Sequence, residues 1–301
     1  KYKNSVILIG NFDGLHSGHQ KLFKQAQKFK KKLNLKLGVI TFDPIPKMFF
    51  DKKIKNYRLV SEKEKLKLFE KNKVNFIINI KFNKKFSKID AKNFIEKIIY
   101  KRINPKLLAV SNNFKFGRNR KGNVKLLKKF GKIFKYQLLN IKPFKYSGKI
   151  VSSTKIRKSL IRGKIKLAAK LLSRTWFIDG QVTTGKKIGR KLGYRTCNIK
   201  IKNYILPKKG IYTVKILIGG RKNIYNGVSY LGSRPTFGGK EIFLETNIFG
   251  IKKNLYKKKL RVYFLKFLRS DKKFNNSLQL TNQMKKDVIS AKKGLKEKLV
   301  L

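Results

Sequence analysis

Cysteine is almost absent from this chain of 301 residues: Cys197 is the only one. A single cysteine cannot form a disulfide within the chain, which excludes a disulfide-stabilised secreted fold and fits a reducing compartment. No apolar run approaches the roughly 18 residues of a membrane-spanning helix. We therefore expect a cytoplasmic protein without a membrane partner. The sequence starts at Lys1 rather than at methionine, so a targeting segment upstream is left open.

Acidic residues are also scarce, because 14 Asp and Glu stand against 78 Lys and Arg, a formal net charge of +64. Such a charge is typical of proteins that bind nucleic acid or anionic membranes. The lysines are dispersed, however, and among the complete blocks of ten residues only 11–20, 171–180 and 241–250 contain none. A binding surface would concentrate its basic residues, so compositional drift explains the charge better. A basic nucleic-acid-binding protein stays a distant alternative, and we expect no specific nucleic-acid partner.

The first half of the chain has the pattern of an α/β domain. Hydrophobic residues make up 41% of the chain, enough for a real core, and the length fits one large or two ordinary domains. Short apolar runs alternate with segments of helical periodicity. The runs lie at 6–9, 37–42, 74–80, 107–110 and 136–141. Strands separated by helices predict a parallel sheet covered on both faces.

The second half reads as a β domain. After Trp176 the chain becomes strand-like and punctuated by glycine, and helical periodicity returns only over 277–299. The strand-like segments lie at 181–184, 211–218, 225–231, 242–249 and 260–268. This pattern predicts a small antiparallel β-barrel with a terminal helix. We place the boundary near Ser173, which gives domains 1–172 and 173–301.

Both histidines of the chain lie in one short segment, Gly10-Asn11-Phe12-Asp13-Gly14-Leu15-His16-Ser17-Gly18-His19. It follows the first predicted strand and opens the first helix, where backbone N–H groups and the helix dipole favour a phosphate. Two imidazoles there can donate hydrogen bonds to phosphate oxygens. A helix capped by a stray histidine pair is the alternative, and the position after a first strand favours a phosphate site.

This segment resembles the His-x-Gly-His nucleotidyltransferases, and in detail the bacterial bifunctional riboflavin kinase/FMN adenylyltransferase family. Three further segments match that family in order: Thr41-Phe42-Asp43-Pro44-Ile45-Pro46, the loop Asn113 to Gly122, and Val151-Ser152-Ser153-Thr154-Lys155-Ile156-Arg157. The resemblance implies a Rossmann-like nucleotidyltransferase domain that joins FMN to the AMP part of ATP, giving FAD and pyrophosphate. The resemblance also implies that a kinase domain follows in the sequence and phosphorylates riboflavin to FMN.

The resemblance also implies which residues serve the adenylyltransferase. Those implied to bind ATP are Gly10, Phe12, Asp13, Gly14, His16, His19, Ser153, Thr154 and Arg157, with the two histidines acting in catalysis. Those implied to bind the flavin are Asn113, Phe114, Phe116 and Arg120. From the residues alone, Ser153-Thr154 could equally be an ordinary helix N-cap. The rings of Phe114 and Phe116 could equally belong to the core.

The kinase half is matched less completely. Its glycine-rich basic loop offers Gly185, Lys186, Gly189 and Arg190 for the ATP phosphates, although a pair of β-turns would look similar. Thr196 and Asn198 match the family's Mg²⁺ and phosphate ligands, and Glu245 matches its general base toward the riboflavin 5′-hydroxyl.

Four positions depart from the family pattern in this half: Arg195 stands for Pro, Cys197 for Ala, Asn247 for His and Gly250 for an acidic residue. They motivate an alternative in which the adenylyltransferase is intact and the kinase domain only binds flavin. The main expectation is a bifunctional enzyme that uses ATP, Mg²⁺ and flavins. The sequence leaves its oligomeric state open.

Overall fold

The computed structural model describes residues 2–184, 193–219, 223–236, 239–251, 253–295 and 298–301, without the side chains of 234–236 and 239–241. The chain divides into two compact units. Unit 1 comprises Lys1–Lys55 and Glu62–Ser152, and unit 2 comprises Asn56–Ser61 and Ser153–Leu301.

Unit 1 is built around a five-stranded parallel sheet in the order β3-β2-β1-β4-β5. Its strands are β1 (Ser5–Ile9), β2 (Lys36–Asp43), β3 (Phe76–Lys81), β4 (Leu107–Ser111) and β5 (Gln137–Ile141). Its α-helices are α1 (Ser17–Lys32), α2 (Pro46–Phe50), α3 (Glu62–Lys71), α4 (Lys84–Ser87), α5 (Ala91–Asn93) and α6 (Val124–Ile133). A π-helix (Phe94–Ile103), a 3-10 turn (Arg118–Arg120) and the hairpin strands β6 (Lys145–Tyr146) and β7 (Lys149–Ile150) complete it. The predicted parallel sheet is confirmed.

The strand order of unit 1 places its functional loops. The central strand β1 pairs with β2 on one side and β4 on the other, and Leu8 lies opposite Ala109. The loops that follow β1 and β4 therefore leave the same edge of the sheet side by side. Ligands of open α/β sheets bind at such a point, where the strand order reverses.

Unit 2 contains a closed antiparallel barrel in the order β10-β11-β12-β9-β8-β13. Its strands are β8 (Phe177–Thr183), β9 (Cys197–Lys200), β10 (Gly210–Ile218), β11 (Ile224–Thr236), β12 (Gly239–Ile248) and β13 (Lys259–Arg269). The helices are α7 (Ser153–Ile161), α8 (Ile165–Leu172) and the terminal α9 (Ser277–Gly294). The predicted barrel with a terminal helix is confirmed, and the short β9 is a strand that the periodicity did not reveal.

Alternation along β11 and β12 sorts their side chains between the two faces of the barrel wall. Leu231, Leu244 and Thr246 are fully buried, and the buried hydroxyls of Ser229 and Thr246 are 2.7 Å apart. Because successive side chains of a strand point to opposite faces, the intervening Glu245 lies on the outer face.

A short piece of the N-terminal half completes unit 2. In this segment, residues 56–61, Arg58 pairs with Tyr204, and the backbone N–H of Ile205 donates to the Arg58 carbonyl at 2.8 Å. The Trp176 indole N–H donates to the Leu59 carbonyl at 2.8 Å, and the Leu59 side chain is fully buried. Segment 56–61 is therefore a structural part of the barrel unit.

The compact units divide the chain at Ser152–Ser153, and they assign α7 and α8 to the barrel unit. The boundary near Ser173 concerns the functional domains and stays a prediction. Within the part of the chain that the structure describes, no helix combines the length and apolarity that crossing a membrane requires.

Candidate functional sites

The turn between β1 and α1, residues 10–16, is called the histidine turn here. His16 is the N-cap of α1, and its Nδ1 accepts a hydrogen bond from the backbone N–H of His19 at 3.4 Å. A neutral imidazole that accepts at Nδ1 carries its proton on Nε2, so His16 keeps a ring donor. The rings of His16 and His19 stack with centroids 3.7 Å apart. The two imidazoles therefore form one unit at the positive end of α1.

Packing holds the histidine turn in place. Phe12 is 2% exposed, and its ring meets Phe23 and Phe69 edge to face at 5.1 and 6.0 Å. Gly14 has φ of 80°, a left-handed conformation that glycine adopts without strain. A Cβ on Gly18 would lie 3.2 Å from the His16 ring. Of the predicted ATP residues, Gly10, Phe12, Asp13, Gly14, His16 and His19 are thus brought together, with the Phe12 side chain in the core.

A buried cation lies beside this turn, and the sequence analysis missed it. Lys65 on α3 is 2% exposed, and its Nζ is 2.9 Å from Glu62 Oε1 and 3.4 Å from Thr41 Oγ1. The Thr41 hydroxyl in turn donates to the Asn11 carbonyl at 3.4 Å. Because lysines are dispersed along the whole chain, nothing in the sequence distinguishes the buried Lys65 from its exposed neighbours.

The predicted flavin loop follows β4. Phe114 and Phe116 stack with ring centroids 5.4 Å apart, but Phe116 is 7% exposed and belongs to the core cluster of unit 1. A Cβ on Gly122 would lie 2.7 Å from the Phe116 ring, so that ring is closely covered. Phe114 is partly buried, whereas Asn113 and Arg120 are exposed. The loop therefore offers Phe114, Asn113 and Arg120 to a ligand more readily than Phe116.

A group of phenylalanines that the sequence analysis did not single out lies in the same unit. The rings of Phe49 and Phe50 on α2 are 5.3 and 5.7 Å from that of Phe82, and Phe50 is 69% exposed. The available signal was the pair of adjacent phenylalanines three and four residues after the 41–46 motif. They add an exposed aromatic surface to unit 1.

The predicted second anion site lies at the start of α7 in unit 2. Ser153 is the first residue of α7, and Thr154 follows it with an exposed side chain. Arg157 is 7% exposed, its guanidinium lies 3.7 Å from the Tyr57 ring centroid, and its Nε donates to the Tyr57 carbonyl at 2.9 Å. Arg157 therefore holds segment 56–61, and the binding of ATP phosphates by these three residues stays a prediction.

Two of the predicted kinase residues, Glu245 and Asn198, lie in one row across the outer face of the barrel, together with Thr183, which was not predicted. Glu245 on β12 lies directly opposite Asn198 on β9, which lies opposite Thr183 on β8. Directly paired residues have Cβ atoms about 5 Å apart, so their side chains meet. Asn198 is 9% exposed, and its Oδ1 is buried without a hydrogen-bond partner among the described residues. The row therefore places the Glu245 carboxylate beside the Asn198 amide oxygen that lacks a partner among the described residues.

Tyr230 on β11 extends the row, because it lies opposite Glu245. Burial, a hydrogen bond with Asp271 and the negative charges of Asp271 and Glu245 raise the pKa of Tyr230 to about 12. The phenol is therefore neutral at physiological pH, and its hydroxyl donates a hydrogen bond to Asp271. Arg269, which ends β13, pairs with Asp287 on α9 at 2.6 Å. Asp271 thus attaches the segment after β13 to the barrel wall, and Arg269 attaches the end of β13 to α9.

Thr196 lines a cavity of about 270 Å³ whose wall also includes Arg195, Cys197, Ile248 and Tyr256. The Asn247 Nδ2 donates to the Arg195 carbonyl at 2.7 Å. Burial raises the pKa of the Cys197 thiol to about 11, so it is protonated at neutral pH and supplies no thiolate. The loop residues Gly185, Lys186, Gly189 and Arg190 lie outside the described residues.

Comparison with known proteins agrees with this two-part geometry. Residues 1–155 match the family model described as FAD synthetase, and residues 172–295 match that described as riboflavin kinase. The chain belongs to the bifunctional riboflavin kinase/FMN adenylyltransferase family. The two matches lie on the parallel-sheet half and the barrel half, in the order that the motifs predicted.

Curated members of this family match almost the whole chain. The protein of Buchnera aphidicola subsp. Schizaphis graminum is 39% identical and covers 96% of this chain and 94% of its own. The protein of Escherichia coli strain K12 is 32% identical, with 95% and 91% covered. A crystal structure named a macrolide-efflux protein, from Streptococcus pneumoniae, has a TM-score of 0.84 at 29% identity and covers 95% of this chain and 93% of its own. That structure supports the fold; its printed name concerns that protein.

Proposed function

We propose that this bifunctional enzyme of FAD synthesis performs its two reactions at two separate sites, one at the edge of the parallel sheet and one on the outer face of the barrel. At the sheet edge, the FMN phosphate oxygen attacks the α-phosphorus of ATP and pyrophosphate leaves. The substrate phosphate is itself the nucleophile, so no covalent enzyme intermediate is needed. The imidazoles of His16 and His19 then stabilise the negative charge that develops on the phosphate oxygens.

The order of the strands supports this placement of substrates. The histidine turn follows β1 and the loop of Asn113 and Phe114 follows the adjacent β4, so ATP and FMN would lie side by side. Holding two reactants in line is itself a large part of catalysis in such a transfer. Phe114 would stack on the flavin ring, and the buried Phe116 would support it from below.

On the barrel, Glu245 acts as a general base in the kinase reaction. It accepts the proton of the riboflavin 5′-hydroxyl as the oxygen attacks the γ-phosphorus of a second ATP, and ADP leaves. The observation that carries this assignment is the direct pairing of Glu245 with Asn198, whose Oδ1 is buried and lacks a partner among the described residues. A buried orphan acceptor is costly to a protein unless something binds it.

The residues present fit a magnesium ion with bound nucleotide. Asn198 and Thr196 offer amide and hydroxyl oxygens, the donors that this hard cation prefers, and Mg²⁺ commonly takes few protein ligands and several from substrate phosphates. Among the described residues no group of three or more His, Cys, Asp or Glu could hold a metal ion. When bound, the ion would neutralise charge on the transferred phosphoryl group.

A kinase domain that only binds flavin is the competing proposal, motivated by Arg195, Cys197, Asn247 and Gly250. Incubating the protein with riboflavin, ATP and Mg²⁺ and separating riboflavin, FMN and FAD tests both reactions at once. We expect FMN and FAD, together with riboflavin-dependent ADP release. Conversion of added FMN to FAD without any turnover of riboflavin at saturating Mg²⁺-ATP would exclude the kinase reaction and leave the competing proposal.

We further propose a cytoplasmic location, where the single thiol of Cys197 would remain reduced. The functional boundary is proposed near Ser173, at the start of the region 172–295 that the riboflavin kinase model matches.

A further inference from the structure

Lys65 is the one lysine among the buried polar and charged residues of the part that the structure describes. Lysines are almost never fully buried unless they are paired, because removing an ammonium from water is expensive. Because every other lysine whose exposure the structure describes is exposed or only partly buried, compositional drift does not account for this position. The neighbouring Lys63 and Lys67 on the same helix are both exposed.

The contacts of Lys65 lead to the histidine turn. Glu62, one helical turn earlier, is 2.9 Å from the Lys65 Nζ and fixes that end of the side chain. The Nζ reaches the hydroxyl of Thr41, a fully buried residue near the end of β2, at 3.4 Å. Thr41 donates to the carbonyl of Asn11, the residue directly before Phe12 in the histidine turn. The Glu62–Lys65 ion pair within α3 and these two hydrogen bonds thus connect α3 with the carboxyl ends of β2 and β1.

We propose that Lys65 is a positioning residue for adenylyl transfer: through Thr41 and Asn11 it fixes the histidine turn relative to α3. The inference deepens the proposed function and rests on the placement of adenylyl transfer at this turn. The ammonium does not touch the reacting atoms. Its contribution is to keep the backbone of residues 10–16 in the one arrangement that presents His16 and His19 to the phosphates, which matters because small misplacements cost large factors in rate.

The first test compares Lys65→Met with Lys67→Met in the full chain. Methionine keeps the volume and removes the charge, and Lys67→Met makes the same change in charge at an exposed position of α3. For Lys65→Met we expect kcat for FMN adenylylation to fall about 10- to 100-fold, with KM for ATP nearly unchanged. Lys67→Met leaves both constants unchanged, and riboflavin phosphorylation by the same molecules is unchanged in both variants.

A double-mutant cycle with Thr41→Val tests the route of the effect. If Lys65 acts through Thr41, the combined variant is no slower than Lys65→Met alone. Independent, multiplying losses would show that Lys65 does not act through Thr41. If Lys65→Met only raises KM for ATP, Lys65 contacts the ligand directly. If kcat is unchanged well below the melting temperature, Lys65 has a purely structural role. Either outcome overturns the proposal.

Glu62→Gln covers the case in which Lys65→Met does not fold. It keeps the shape of the side chain and removes only the ion pair that orients the ammonium, and a smaller fall in the same kcat is expected. An unchanged kcat in folded Glu62→Gln protein overturns the proposal in that case. His19→Ala separates this question from the proposed function: if His19→Ala still forms FAD at the normal rate, the site itself is misplaced.

Discussion

The side-chain amide of Asn247 donates to the backbone carbonyl of Arg195 at 2.7 Å. The sequence resemblance placed both among the four positions that depart from the expected pattern, and in the fold they touch. Arg195 directly precedes Thr196, the proposed ligand of the metal and phosphates. A side-chain hydrogen bond therefore fixes the loop at the point where the family pattern has a rigid proline.

This contact predicts a rescue experiment. Asn247→Ala removes a hydrogen bond worth about 0.5–1.5 kcal/mol, so kcat/KM for ATP in the kinase reaction falls about 2- to 10-fold. Adding Arg195→Pro restores rigidity by fixing φ, and recovers most of the loss. Initial rates of ADP release measure both variants. Asn226→Ala, at an exposed asparagine of β11, is the control; an equal loss there, or no recovery by proline, would refute this role.

Separate sites predict opposite defects for two alanine variants. His19→Ala abolishes FAD formation and spares FMN formation, because the imidazole serves only the sheet-edge site. Glu245→Ala spares conversion of supplied FMN and lowers riboflavin phosphorylation about 10²- to 10⁴-fold, the usual contribution of a general base. Chromatographic separation of the flavins measures both. If either single change removed both activities from a folded protein, the two-site description would have to be abandoned.

The two stacked phenylalanines of the flavin loop differ in burial, so their substitutions have different consequences. Phe116→Ala empties a core position and lowers the free energy of unfolding by about 3–5 kcal/mol. Phe114→Ala costs less stability and raises KM for FMN in adenylylation. Urea denaturation and steady-state kinetics on the same preparations measure the two quantities. Equal stability losses with unchanged KM would make both rings core residues.

Segment 56–61 predicts a stability effect at the only tryptophan. Trp176→Phe removes the indole N–H that donates to the buried Leu59 carbonyl, and leaving that acceptor unsatisfied costs about 1–3 kcal/mol. Because Trp176 is the natural fluorescent probe, unfolding is followed by circular dichroism. Tyr256→Phe, at a residue 41% exposed, is the control. An unfolding free energy equal to that of the control would show that the bond contributes nothing.

The partly buried Cys197 thiol predicts a loss of stability at alkaline pH. Its pKa is raised to about 11 by burial, so the unfolded chain gives up this proton at a lower pH than the folded chain. As pH rises above the unfolded value toward about 11, the unfolded state binds fewer protons and stability falls. Cys197→Ser removes this contribution, so its midpoint in urea declines less steeply over that range. Parallel slopes for the two proteins would contradict the assignment.

The sequence predicted the elements that local pattern controls. The strands of the parallel sheet were found because each contains a short apolar run, although only β1, β2 and β4 are mostly buried. The barrel was predicted because its strand-like segments are separated by glycine-containing turns. The alternation predicted a helix between the apolar runs 74–80 and 107–110, and Phe94–Ile103 in that interval is helical, although with π-type hydrogen bonding. In the candidate sites, the histidine turn and Glu245 stood out because histidine and acidic residues are scarce in this chain.

Long-range contacts set the limit of that prediction. Neither periodicity nor composition indicates that segment 56–61 packs beside 203–205, because the partners lie far apart in the chain. Glycine and arginine neighbours of Phe116 are typical of an exposed loop, so its sequence left a core position open without indicating it; in the fold Gly122 fits against its ring. The role of Arg157 beside Tyr57 was missed for the same reason, since an arginine one turn into a helix gives no sign of a partner a hundred residues earlier.

Segment 56–61 also has a consequence for how the gene can be divided. A single cut between the two catalytic halves leaves segment 56–61, which packs in the barrel unit, on the N-terminal fragment. A kinase half made from the C-terminal portion alone would expose the surface that Leu59 and Val60 cover. Any insertion, deletion or domain exchange in the stretch after α2 is therefore constrained by the barrel as well as by the sheet.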